Sequence, residues 1–402
     1  MQLREWNARL HGLVVFRALL GDPVVAKLAA LTDRLEAADD TIAPLCDAVA
    51  AFEAALFAHT TNLGDYLSNA VLETETFCVR QAAAGQLSPV MEAALNSELN
   101  FLQKLCGLTL DALLEAADRQ NRELAFLPRW EARQLDLTAA YNQRMREAGK
   151  KGYGMFAKHH VFTVENGQLV PVKYPDPQKL SELPGYEKER EKVIANTRAL
   201  LAGSPANNVL LYGDAGTGKS STVKAIANEY AADGLRLVEV KKNQLYQIPD
   251  LMDALASNPL KFILFIDDLS FTANDDNFAA LKAILEGSVG GRAGNIAVYA
   301  TSNRRHLIKE TLTDREGDDI HESDTRQELM SLSARFGLTI TFGSPDRERY
   351  LHIVEELAKQ YGVELDPRQL AVRSEAFAVR SGGRSARVAK QFIELCKAGV
   401  FS

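Results

Sequence analysis

The sequence predicts a chain in three parts: an all-helical N-terminal region, a five-stranded parallel sheet flanked by helices, and a small helical region at the C-terminus. Three observations carry this. Up to about residue 148 the apolar residues recur only at helical spacing. From about 180 short apolar runs alternate with helical patterns, as in a parallel sheet covered on both faces. Beyond 345 the spacing is helical again. The expected domains are therefore 1–148, a linker over 149–179, 180–344 and 345–402.

With 402 residues, 46% of them hydrophobic, the chain can bury two or three cores. Charged residues make up 25%, a globular composition. The net charge of −7 argues against a surface that clings to nucleic acid throughout, though a local basic patch is compatible with it. Cys46, Cys78, Cys106 and Cys396 lie far apart in sequence. They form neither a zinc cluster nor a disulfide framework, and read as the reduced thiols of a cytoplasmic chain. The opening MQLREWNARL is charged and lacks the apolar core of a signal peptide. LVVFRALLGDPVV is interrupted by Arg17 and Asp22, too soon to span a bilayer, so no membrane partner is expected.

In the N-terminal region Leu95, Leu99, Leu102, Cys106 and Leu113 are spaced to share a helix face, as are Val24, Leu28, Leu31 and Leu35. Asp22-Pro23 and Ser88-Pro89 each place a capping side chain before a first-turn proline. These read as the core leucines of a helical bundle. The glycine cluster GKKGYG (149–154) ends that pattern, and HHVFTVENGQLVPVKY follows. Its alternating residues flank Asn166-Gly167, a two-residue hairpin signal. His159 and His160 fall in the expected first strand, where neighbours face opposite ways, so a shared metal is not expected.

The five expected strands are 208–213, 235–240, 262–267, 296–302 and 338–342. Between the first strand and the next helix stands GDAGTGKS, Gly213 to Ser220. It fits G-x-x-x-x-G-K-[ST], the loop that cradles phosphates. Gly213, Gly216 and Gly218 let the backbone turn tightly and aim N–H groups inward, with Asp214, Ala215 and Thr217 between them. Lys219 reaches the outer phosphates, Ser220 can bind Mg²⁺, and Ser221 continues the cradle at the helix N-terminus. The third strand ends in FILFIDDLSF, two adjacent carboxylates after an apolar run. Beside a phosphate loop, Asp267 would hold Mg²⁺, and Asp268 would orient or deprotonate the attacking water. The bland alternative is that Asp268 caps the next helix.

In this order the motifs resemble those of the AAA+ ATPases, over about residues 180–395. The resemblance implies ATP and Mg²⁺ as ligands. LSELPGY (180–186) looks like the segment that packs on adenine, through Leu183. Asn303, closing YATSN, matches the sensor of the γ-phosphate and attacking water. SLSARFGL (331–338) resembles the box carrying an arginine finger, which makes Arg335 the finger. GGRSARVAKQF (382–392) resembles the second sensor, with Arg384 as its arginine and Arg387 as the other candidate. A finger acting on a neighbour's nucleotide implies a homo-oligomer, a ring or an open helical assembly. Over nearly the whole chain, with GYGMFAK (152–158) and PANNVLLYGDAGTGKSSTVKA, the sequence is similar to a bacterial family of ATP-binding proteins. It departs from the superfamily in having Asp268 where most members have glutamate. The shorter side chain falls roughly 1.5 Å short, and such misplacement can cost about 100-fold in rate.

Two activities fit. One is an ATPase that remodels a macromolecular client, protein rather than DNA, held by the N-terminal region. The only aromatic candidate for a threading loop is Tyr246, in KKNQLYQIPDL, and the glycine that usually follows is absent. The other is a nucleotide-gated loader or adaptor with slow hydrolysis. Its basic residues for a nucleic-acid partner, Lys241, Lys242, Arg304 and Arg305, are few. The acid-rich stretch 311–328 reads as a solvated loop.

Overall fold

The computed structural model describes residues 3–37, 41–83, 87–118, 124–269, 280–282, 284–285, 294–303 and 335–400. Arg304, Arg305, the stretch 311–328 and positions 331–334 lie outside these. The chain divides into two compact units, 1–158 and 159–402.

The first unit is helical. Asp22 accepts hydrogen bonds from the Val24 and Val25 amides and starts the helix Pro23–Glu36. Ser88 accepts from the Met91 amide and starts Pro89–Cys106. Leu95, Leu99, Leu102 and Cys106 share the buried face of that second helix. Leu113 does not belong with them, contrary to the sequence expectation. The helix stops at Gly107, and Thr109 caps a new one, Leu110–Ala116, which carries Leu113. Both helices feed one core, where the Phe52 and Trp130 rings meet edge-on at 4.8 Å and the Trp130 indole donates to the Leu108 carbonyl at 2.8 Å. Glu98 ties the start of the unit to this core. Its carboxylate accepts from the backbone amides of Val14 (2.7 Å), Val15 (3.1 Å) and Phe16 (3.0 Å), three donors in a turn that would otherwise be unsatisfied.

The second unit is built on one seven-stranded sheet: β1 (Val161–Glu165), β2 (Gln168–Pro171), β3 (Val209–Gly213), β4 (Leu235–Glu239), β5 (Lys261–Ile266), β6 (Ile296–Ser302) and β7 (Leu338–Phe342). The order across it is β2-β1-β4-β5-β6-β3-β7. The five strands expected from sequence are all present and parallel. The count of five is corrected to seven because the hairpin joins the sheet. β1 runs parallel to β4, pairing Val161 with Leu237 and Phe162 with Val238, and β2 returns antiparallel at the edge. Asn166 and Gly167, both at positive φ (51° and 78°), make its two-residue turn. Phe162 and Val164 are fully buried, so their apolar area is what docks the hairpin. His159 and His160 precede β1 rather than lying in it.

β5 and β6 are buried on both faces, which explains their unbroken apolar runs. Helices Glu187–Leu201, Lys219–Glu229 and Ile248–Ala256 accompany the strands, and Arg347–Tyr361, Pro367–Arg380 and Ala386–Lys397 follow β7. Among the described residues no helix is long and apolar enough to cross a membrane.

Glu98→Ala leaves three amides without their acceptor, and Val14 is exposed enough for water to replace part of the loss. The expected cost is about 2 kcal/mol. Both tryptophans, Trp6 and Trp130, lie in the helical unit, so a urea titration followed by tryptophan fluorescence reads its stability separately.

Candidate functional site

The site begins where β3 meets β7. Gly213, the last residue of β3, has φ +135°, and a Cβ there would lie 2.1 Å from the Phe342 carbonyl oxygen. Only glycine fits this approach. The Asp214 amide then donates to that same carbonyl at 3.0 Å, and the Asp214 carboxylate accepts from the Ser344 amide (2.6 Å) and hydroxyl (2.9 Å). The loop closes through Gly216 and Gly218, both left-handed, and the helix Lys219–Glu229 starts immediately after. Its N-terminal amides and dipole thus face the loop. Thr217 braces the turn by donating to the Asp214 carbonyl at 2.9 Å.

Lys219 is only 5% exposed. Its ammonium donates to the Gly213 and Asp214 carbonyls at 2.9 and 2.7 Å. Burial pulls its pKa below the ordinary lysine value, an effect opposed by Asp214, Asp268 and Asp267. A cation held this way, with one donor beyond the two carbonyls it binds, is suited to an anion arriving in the loop.

The two aspartates after β5 face different partners. Asp267 Oδ1 accepts from Ser220 Oγ at 2.6 Å, Thr301 Oγ1 at 2.6 Å and the Asp268 amide at 3.1 Å. Asp268 adopts φ +51°, and its amide also donates to Thr301 Oγ1 at 2.9 Å. Its carboxylate has a partner of its own, since Asp268 Oδ1 accepts from Asn303 Nδ2 at 2.7 Å. Each of the adjacent carboxylates therefore has its own hydrogen-bond donors. Thr301, at the end of β6, organises both acids. Sequence reasoning stopped at Asn303 and missed it, although the threonine two residues earlier in YATSN is the available signal.

A cavity of about 1010 Å³ joins these groups. Gly216 to Ser221, Asp267, Asp268 and Asn303 line one end, and Leu183 lines the wall farther out. Gly213, Asp214 and Ala215 shape the loop without lining the cavity. Arg384 is not at the cavity either. It makes a two-pronged ion pair with Glu375, at 3.0 and 2.6 Å. Arg387, in the first turn of the helix Ala386–Lys397, lines the cavity instead, and its amide donates to the Gly216 carbonyl at 3.0 Å. Lys390 stands beside it on the next turn, a cation the sequence reading did not single out. Arg335 is half-buried just before β7 and does not line the cavity of its own chain. Tyr246 is 66% exposed at the surface after β4.

The donor set fits a magnesium nucleotide. Ser220 and Asp267 offer two oxygen ligands already in contact, the hard donors Mg²⁺ takes. Among the described residues no group of three or more His, Cys, Asp or Glu side chains could cage a metal. Gly216 leaves no room to spare, since a Cβ there would sit 3.0 Å from the Arg387 Cβ.

The buried lysine has a measurable consequence. With its folded pKa lowered below 10.5, charged Lys219 destabilises the ligand-free fold at all pH values below that folded pKa. The penalty fades as pH rises through the folded value toward the ordinary one, where the amine is neutral in both states. Lys219→Met is therefore expected to raise the calorimetric Tm of the ligand-free protein at pH 7. Its advantage over wild type should shrink as pH is raised toward the ordinary lysine value of 10.5.

Over 141 residues the chain is 31% identical to the Replication factor C large subunit of Staphylothermus marinus. That match covers 35% of this chain and only 29% of the subunit's length. A solved structure of a lysine-to-arginine mutant of RuvB from Thermotoga maritima is similar over 54% of this chain and 64% of that one. Its 19% identity and TM-score of 0.35 are too low to carry an argument. A family model matches residues 156–400, more than half of the chain and nearly all of it within the second unit, and by it the chain belongs to the family described as Protein of unknown function (DUF815).

Proposed function

We propose that this chain is an AAA+ ATPase that binds ATP with Mg²⁺ and hydrolyses it to act on a macromolecular partner. The observation that carries the reading is the continuous line of hydrogen bonds from Ser220 through Asp267 and Thr301 to Asp268 and Asn303, at the end of the cavity where Lys219 is buried. It supplies, side by side, a phosphate cradle, a place for the metal and a base next to a positioning amide.

The roles follow from chemistry. The loop amides and Lys219 bind the β- and γ-phosphates. Ser220 and Asp267 hold Mg²⁺, which when bound neutralises charge developing on the phosphates. Asp268 accepts a proton from the attacking water, or orients it, and Asn303 fixes the Asp268 carboxylate at 2.7 Å. Because an aspartate reaches roughly 1.5 Å less far than a glutamate, slow turnover is expected. Arg387 meets the phosphates from the C-terminal helices, which act as a lid. Arg384 instead stiffens that lid through Glu375. Arg335 serves a neighbouring subunit's nucleotide, so the active form is an oligomer.

One observation favours the loader or adaptor reading as second choice. Asp268 is already held by Asn303 in this arrangement, so it must be shared with or released to the water before hydrolysis. A slow clock gating a partner fits such a site, and the similarity to a replication factor subunit agrees with it. The client remains a protein rather than DNA in our reading.

ATP hydrolysis per chain should climb as protein concentration is raised. Arg335→Ala should stay flat and fall by about 10³ or more at the top of the range. A wild-type rate independent of concentration would remove the shared site. The two lid arginines separate in a second measurement. Arg387→Ala should weaken ATP binding about tenfold, the loss of one charge-assisted contact. Arg384→Ala should leave ATP affinity within about twofold of wild type, while lowering the unfolding temperature of the second unit.

A further inference from the structure

Between β2 and the helix Glu187–Leu201 the chain runs as a strap, residues 172–183, with a single 3₁₀ turn at Leu180–Glu182. Asp176, Gln178, Ser181 and Leu183 of this strap line the outer end of the cavity. Beyond Val172, whose amide still donates to the Val161 carbonyl at 2.9 Å, a segment without ladder bonds needs other tethers to present a fixed wall. Two side-chain amides provide them. Asn228 Nδ2 donates to the Asp176 carbonyl at 2.8 Å and to the Gln178 carbonyl at 2.9 Å. Gln360 Nε2, from the helix Arg347–Tyr361, donates to the Ser181 carbonyl at 3.1 Å.

Asn228 is used to capacity. With both N–H groups spent on strap carbonyls, its Oδ1 faces His160 Nε2 at 2.9 Å. Its partners fix its orientation, and an acceptor at Oδ1 requires His160 to carry its proton on Nε2. Asn228 sits on the same helix as Lys219, nine residues on, which is about 13 Å along the axis. One helix therefore carries the phosphate cradle at its start and the strap anchor at its end. The distance separates the two jobs, so damage to one need not reach the other.

We infer that Asn228 is a positioning residue: it holds the strap as the wall of the cavity's outer end, and so sets affinity for the nucleoside part of a nucleotide whose phosphates the loop binds. Gln360 fixes the same strap from the side of the C-terminal helices and contributes less, because it makes one exposed bond where Asn228 makes two, one of them part-buried. This rests on the nucleotide reading above. The outer wall offers both chemistries a nucleoside needs, apolar surface from Leu183, Pro184, Ile353 and Leu357 and polar groups from the strap.

The test compares two probes on the full chain by titration calorimetry: ATP, and inorganic tripolyphosphate, which has no nucleoside. Wild type should bind ATP more tightly than tripolyphosphate. Asn228→Ala should weaken ATP about tenfold and leave tripolyphosphate within about twofold. Asn228→Asp is the control for shape. It keeps the acceptor toward His160 but puts a carboxylate against two carbonyls, so it should show the same ATP-specific loss. Equal weakening of both probes would mean that Asn228 merely supports the helix, and unchanged ATP affinity in both variants would mean that the strap needs no anchor. Either overturns the inference. Wild type that binds neither probe would instead overturn the nucleotide reading itself.

Discussion

The second unit turns on one oxygen atom, Asp267 Oδ1. Strand β6 lies between the strand that feeds the phosphate loop and the strand that ends in the aspartates. The two halves of the site are thus held one strand apart, and something must span the gap. Asp267 does so by accepting from Ser220 on one side and Thr301 on the other, each at 2.6 Å. Three donors on one carboxylate oxygen are strong only because the acceptor is charged. The same bonds bring the Asp268 amide round to Thr301, and the left-handed backbone at Asp268 follows from that. The direction of the Asp268 side chain, and its contact with Asn303, are consequences.

A second constraint is steric. β7 approaches Gly213 so closely that no side chain could stand there, and Ser344 just past β7 holds Asp214. The Arg387 amide reaches the Gly216 carbonyl from the C-terminal helices. The glycine-rich loop is therefore bonded at two points to the segment after β7. Any change in the loop is felt there directly, through hydrogen bonds and not through the nucleotide alone. Lys219 adds a cost to the empty loop, because a buried ammonium with two carbonyl partners is poorly compensated. An anion relieves that cost.

The helical unit follows different rules. Its stability comes from a leucine-rich core and from backbone groups satisfied at the helix starts, with Glu98 closing a turn 82 to 84 residues away in sequence. No periodicity in the sequence announces such a bond, since Glu98 reads as an ordinary exposed residue of a helix. The shift of Leu113 to a separate helix has the same origin. Helical spacing continues across Gly107, but a glycine followed by a capping threonine ends one helix and begins another.

The sequence by itself determined the five parallel strands, the phosphate loop and the caps, because these depend on residues adjacent in the chain: an apolar run, a glycine that must turn, a hydroxyl before a helix. It also marked Lys219, Ser220, Asp267 and Asp268 as chemistry-bearing, since each stands at the end of a strand or the start of a helix, while Asn303 was marked by resemblance alone. Only the tertiary structure decided the rest. The hairpin became part of the sheet because buried Phe162 and Val164 pair it to β4. Thr301 became the link between two acids, Arg387 took the cavity position while Arg384 turned to Glu375, and Asn228 became the anchor of a distant strap. Each of these turns on which groups meet between separate segments of the chain. Local propensity carries no record of such meetings, because they are set by packing and by the need to pair every buried polar group.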